Sequence, residues 1–87
     1  DAYLEAVETT LIRVRLFVPD MLVVSLGFDM VEGDPNGSFR LSSEALRPVG
    51  ARIGRLGIPT IVIQEGGYNL ATLGASAVSF FTGLLGL

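Results

Sequence analysis

The sequence predicts an α/β fold, a three-layer αβα arrangement with parallel strands in the element order α-β-α-β-α. Two short apolar runs rich in β-branched residues, at positions 22–26 and 58–63, have the composition of buried strands. Segments of helical periodicity precede, separate and follow these runs. Strands joined through a helix of about a dozen residues cannot form a hairpin, so we expect them to lie parallel through a right-handed crossover.

The first helix is predicted from Ala2 to Val18. Its apolar residues recur every three or four positions, as on one face of a helix: Leu4, Val7, Leu11, Val14 and Val18. Pro19 then ends the helix. The continuous apolar run from Met21 to Leu26 is typical of a strand covered on both faces, and Gly27 ends that strand.

The central segment contains a polar loop, from Asp29 to Ser43, and a second helix. Within the loop, the sequence Asp34-Pro35-Asn36-Gly37 fits a β-turn. Ser42 or Ser43 can cap a helix that extends to about Leu56. Pro48 is unfavourable inside a helix, so the helix either kinks there or begins near it.

The last segment repeats the strand-helix order. Gly57 ends the second helix, Ile58–Ile63 forms the second strand, and Leu70–Leu85 forms the last helix. One stripe of that helix is apolar, with Leu73, Ala77, Phe80 and Leu84. Because parallel strands place their carboxyl ends at one edge of a sheet, where ligands bind in open α/β folds, we expect chemistry at Asp29 and Tyr68.

The composition bounds the class of protein. The chain has 87 residues, of which 49% are hydrophobic and 17% charged, and its mean hydropathy is +0.57. This balance is too apolar for a small free-standing domain, so we expect the chain to belong to a larger core. It lacks an apolar stretch of about 18 residues and a secretory signal, and it has no cysteine, so we expect a cytoplasmic protein with no membrane partner.

The charge pattern and the glycine motifs exclude other classes. The net charge is −3 and the six arginines are scattered, which disfavours direct nucleic-acid binding. Nucleotide-binding glycine motifs are missing, and no histidine is present to activate a serine nucleophile. Two roles fit Asp29: a loop cap or a metal ligand. Two also fit Tyr68: a packed aromatic residue or a hydrogen-bond donor to a reacting carbonyl.

Three motifs in sequence resemble the closing section of the histone deacetylase and acetylpolyamine amidohydrolase superfamily. They are Pro19-Asp20-Met21-Leu22-Val23-Val24-Ser25-Leu26-Gly27-Phe28-Asp29, then Gly33-Asp34-Pro35 with Phe39, and then Gln64-Glu65-Gly66-Gly67-Tyr68-Asn69. The resemblance implies a partial arginase-deacetylase fold and a zinc-dependent deacetylase, with Asp29 as a metal ligand and Tyr68 as the residue that polarises the acetyl carbonyl. It also implies that Gly66 and Gly67 approach the substrate and that Pro35 and Asn36 line the acyl channel.

The resemblance also shows what this chain lacks. The superfamily's histidine ligand, second aspartate ligand and histidine pair have no counterpart here, and one carboxylate cannot hold zinc. We therefore expect residues 1–87 to be a C-terminal fragment of one catalytic domain, inactive alone and partnered by the remainder of that domain. At Leu26 and Glu65 the motifs are more similar to those of acetylpolyamine amidohydrolases and related bacterial members than to those of other members of the superfamily. The expected substrate is an N-acetylated small amine or an acetyl-lysine peptide, and the alternative is a non-catalytic α/β remnant or interaction domain.

Overall fold

A computed structural model of the chain describes residues 2–33 and 41–87. Its elements are α1 (Ala2–Phe17), β1 (Leu22–Leu26), a 3-10 turn (Ser43–Ala45), α2 (Leu46–Gly54), β2 (Thr60–Gln64) and α3 (Leu70–Leu84). The predicted α/β class and element order are confirmed. The β-turn predicted at positions 34–37 lies outside the described residues.

The two strands pair in parallel, as predicted. Leu22 lies opposite Thr60 and Leu26 lies opposite Gln64. The pairing continues one step beyond the strands, because the amide of Glu65 donates to the carbonyl oxygen of Leu26 at 2.7 Å. The segments that follow β1 and β2 therefore begin side by side at one edge of the sheet.

The helices cover one face of this sheet in the described part of the chain. Side chains of β1, β2 and all three helices form one apolar cluster, which includes Leu22, Val24, Leu26, Val62, Leu46, Ile53 and Phe80. On the opposite face Val23, Ile61 and Ile63 are 56%, 48% and 52% exposed. Within residues 2–33 and 41–87, β1 is covered on one face only, so the described part of the chain supplies two of the three predicted layers.

The end of α1 differs slightly from the prediction. The helix ends at Phe17, and Val18 has a left-handed φ of 54°. Val18 is 79% exposed, so its predicted place on the buried face is wrong. The reason is Pro19, which disfavours the helical conformation at the residue before it.

The start of α2 explains how the helix accommodates Pro48. Ser42 caps the preceding 3-10 turn by accepting a hydrogen bond from the Ala45 amide at 3.2 Å. Because α2 begins at Leu46, Pro48 lies in its first turn, where the amide that proline lacks has no partner within the helix. The helix ends at Gly54 rather than near Leu56, and Gly57 follows with a φ of 67°.

Glycines allow α2 and α3 to pack closely. A Cβ atom at Gly50 would collide with the carbonyl oxygen of Phe80, and one at Gly83 would collide with that of Arg47. The predicted apolar stripe of α3 faces this contact, with Phe80 fully buried and Leu84 half-buried. The α2–α3 pair thus forms the tightest helical contact of the fold.

No helix within residues 2–33 and 41–87 is long and apolar enough to cross a membrane.

Candidate active site at the carboxyl edge of the sheet

Asp29 lies in a tight turn directly after β1. This segment, residues 28–33, is called the Asp29 turn below. The amide of Val31 donates to the carbonyl oxygen of Phe28 at 3.2 Å, and both of these side chains are buried. On the far side, the Glu32 amide donates to Leu41 at 2.8 Å. Because both ends of the turn are anchored, Asp29 is held at the strand end, half-buried.

The carboxylate of Asp29 lies between two glycines that come from different strands. A Cβ atom at Gly27, after β1, would be 2.8 Å from Asp29 Oδ1. A Cβ atom at Gly66, after β2, would be 2.6 Å from the same oxygen. The expectation that the two strand ends meet is therefore confirmed for Asp29 and Gly66. Only residues without a side chain leave room for a carboxylate at this position.

The segment after β2, residues 65–69, carries Tyr68 and is called the tyrosine loop below. Gly66 and Gly67 both have positive φ values, 91° and 108°. A Cβ atom at Gly67 would be 3.0 Å from Cβ of Phe28 and 3.0 Å from Leu73 Cδ1, so this glycine packs against the start of the Asp29 turn. Tyr68 follows directly and is 50% exposed. About half of its surface is therefore open to solvent.

Asn69 was not predicted as a site residue. Its Oδ1 accepts a hydrogen bond from the Ala71 amide at 3.2 Å and caps α3. Its Nδ2 donates to the carbonyl oxygen of Glu32, also at 3.2 Å. The asparagine before the helix is a capping signal visible in the sequence. The second hydrogen bond joins residues 37 positions apart, and no local pattern indicates it.

The channel residues expected from the resemblance, Pro35 and Asn36, lie outside the described residues. Gly66 and Gly67 lie beside Asp29 and Phe28, as described above. Asp29, Gly66, Gly67 and Tyr68 therefore share one edge of the sheet.

The residues at this edge do not make a complete metal site. Across positions 2–33 and 41–87, no group of three or more histidine, cysteine, aspartate or glutamate side chains is arranged to hold a metal ion. The chain also contains no histidine and no cysteine at all. Catalytic zinc takes three protein ligands and one exchangeable position. Asp29 alone could supply only one of these ligands.

Comparison with known proteins shows the family to which the chain belongs. The sequence profile of the histone deacetylase domain matches residues 1–84, and the chain belongs to that family. The relatives include an acetylpolyamine amidohydrolase of Burkholderia pseudomallei, 43% identical over 82 residues, which are 94% of this chain and 24% of the relative. Acetylpolyamine amidohydrolase 1 of Pseudomonas aeruginosa is 41% identical over 86 residues, 99% of this chain and 25% of that protein.

The same likeness holds in three dimensions. The crystal structure of an acetylpolyamine aminohydrolase from Burkholderia pseudomallei superposes with a TM-score of 0.91 at 42% sequence identity. The match covers 95% of this chain and 24% of that structure. The chain thus spans about a quarter of the length of the relatives it matches.

Proposed function

We propose that this chain forms the carboxyl-edge part of the catalytic domain of a zinc-dependent hydrolase that removes acetyl groups from N-acetylated amines. The observation that carries the proposal is the Asp29 carboxylate held between Gly27 and Gly66, with Tyr68 in the same loop as Gly66. Membership of the histone deacetylase domain family supports it. The names of the relatives favour an acetylated polyamine over an acetyl-lysine peptide as substrate.

The carboxylate of Asp29 has the chemistry that a metal ligand requires. The residue is half-buried and belongs to a turn that is anchored at both ends. The remaining ligands, and the groups that move protons during amide hydrolysis, would come from parts of the protein outside this chain. The exposed sheet face of Val23, Ile61 and Ile63 is where the rest of the domain would pack.

Tyr68 has the chemistry of a donor to the acyl oxygen. When an amide carbonyl is attacked, negative charge develops on its oxygen, and a preorganised O–H donor stabilises that charge more than it stabilises the ground state. Gly66 and Gly67, the two residues directly before the tyrosine, carry no side chain and have positive φ values. The tyrosine hydroxyl would therefore lower the barrier to hydrolysis without being needed to hold the metal.

The experiment separates these two roles in the intact protein. Tyr68→Phe should lower kcat by about 100-fold or more while leaving the bound zinc unchanged, whereas Asp29→Ala should release the zinc. Asp20→Ala is the matched control for the carboxylate, since Asp20 precedes β1 and Asp29 follows it. Tyr3→Phe, in α1, is the control for the loss of a tyrosine hydroxyl. An intact protein that binds no zinc and hydrolyses no N-acetylated amine would contradict the proposal and favour a non-catalytic domain.

A further inference from the structure

The tyrosine loop is tied to the last residue of β1 and to the segment after β1 at three successive points. The amide of Glu65 donates to Leu26 at 2.7 Å, at the last rung of the sheet. Gly67 packs against the Cβ atom of Phe28. The Nδ2 of Asn69 donates to the carbonyl oxygen of Glu32 at 3.2 Å. Along the chain, Tyr68 lies between the second and third of these contacts.

The third contact is made by the side-chain amide of Asn69, whose oxygen and nitrogen each take part in a hydrogen bond. The Oδ1 of Asn69 accepts from the amide of Ala71, so the side chain is fixed to the first turn of α3. Its Nδ2 lies against the Asp29 turn, where a Cβ atom added to Gly33 would be 2.8 Å from it. The Glu32 that it contacts is itself held by the hydrogen bond from its amide to Leu41. The Asn69 side chain therefore connects two anchored parts of the fold.

We propose that Asn69 is a positioning residue that sets where Tyr68 lies relative to the Asp29 carboxylate. This inference rests on the proposed function, in which Tyr68 and Asp29 act on the same substrate group. Two consecutive glycines precede Tyr68, and glycine restricts the backbone least of all residues. The contact made by Asn69 restrains the backbone on the other side of the tyrosine. A displacement of about 1 Å in a reacting geometry can lower a rate by about 100-fold.

Asn69→Asp in the intact protein tests this role. Aspartate retains an oxygen that accepts from Ala71 and caps α3, but it places an oxygen where the Nδ2 donor faced the carbonyl of Glu32. We expect kcat to fall by about 10- to 100-fold, with KM and bound zinc unchanged. Asn69→Ser keeps a capping hydroxyl that is too short to reach Glu32, and we expect it to lower kcat in the same way. It provides the test if the aspartate variant folds poorly.

Two further variants separate positioning from a loss of folding stability. Thr60→Ala removes a side-chain hydrogen bond to the carbonyl oxygen of Ile58 at the start of β2, at the opposite end of that strand from Tyr68, and it should lower Tm without lowering kcat. In a Tyr68→Phe background, Asn69→Asp should change kcat by less than about 2-fold, because residues that act through one another are not additive.

The outcomes distinguish this inference from the proposed function. A normal kcat in Asn69→Asp together with a low kcat in Tyr68→Phe overturns the positioning role alone. An undiminished effect of Asn69→Asp in the Tyr68→Phe background also overturns it. A normal kcat in Tyr68→Phe refutes the role of the tyrosine itself, and the positioning role with it.

Discussion

The Asp29 carboxylate lies directly against the α-carbon of Gly66: a Cβ atom added to that glycine would be 2.6 Å from Oδ1 and 3.3 Å from Cγ of the aspartate. The two residues are 37 positions apart and follow different strands. Gly66, which follows β2, is thus part of the environment of the Asp29 carboxylate, which follows β1.

This contact predicts the effect of Gly66→Ala. The added methyl group must displace the Asp29 carboxylate, and the φ of 91° is unfavourable for alanine. We expect the intact protein to lose zinc affinity and to lose more than about 1 kcal/mol of folding stability. Zinc titration and denaturant unfolding measure the two effects.

Gly57→Ala is the matched control for that experiment. Gly57 also has a positive φ, 67°, but nothing lies within 4 Å of a Cβ atom built there. It should cost about 1–2 kcal/mol of stability and leave zinc affinity unchanged. Equal zinc affinities in the Gly66 and Gly57 variants would show that the carboxylate position does not depend on Gly66.

The contact between α2 and α3 predicts opposite effects for two glycines of one helix. Gly83→Ala forces the methyl group into the backbone of α2 and should destabilise the fold by about 1–3 kcal/mol. Gly74→Ala, with open space around its Cβ position, should stabilise the fold by about 0.5–1 kcal/mol through helix propensity. Thermal and urea unfolding of the two variants measure the difference. A destabilised Gly74→Ala would contradict the explanation.

The exposed sheet face predicts how the 87-residue chain behaves alone. Val23, Ile61 and Ile63 form an apolar surface on an open parallel sheet, and such surfaces associate in water. We expect the isolated chain to self-associate, and threonine at these three positions to reduce the association in analytical ultracentrifugation. Glutamine at Ile12 and Val78, exposed apolar residues on helices, should reduce it less. A stable monomer of the unmodified chain would refute the prediction.

Tyr3 predicts a stability change at alkaline pH. Burial against the apolar cluster raises the pKa of its phenol above the ordinary value of 10.0. The unfolded state therefore ionises first as the pH rises, so the free energy of unfolding is unaffected by this group below pH 10 and falls above it. Urea unfolding between about pH 8 and 11 should show a steeper alkaline loss for the unmodified protein than for Tyr3→Phe. Equal slopes would contradict the burial effect.

Local sequence patterns were sufficient for the elements and their order. The helical spacing from Leu4 to Val18 and the apolar run from Met21 to Leu26 are properties of adjacent residues. The structure confirms the helix and the strand, with α1 ending at Phe17 and β1 beginning at Leu22. The predicted positions of the helix ends were less accurate. At Val18 and Leu56 the local pattern competes with proline restriction and with glycine turns, and periodicity cannot decide between them.

The sequence by itself determined the α/β class, the parallel strand order and the residues that follow each strand, because these depend on residue type and on short-range spacing. Only the tertiary structure decided that the Asp29 carboxylate lies against Gly66, that Asn69 contacts Glu32, and that the described helices leave one face of the sheet open. These relationships join residues 37 positions apart or depend on which side of the sheet the helices pack. Chain topology and packing determine such contacts, and no local pattern encodes them.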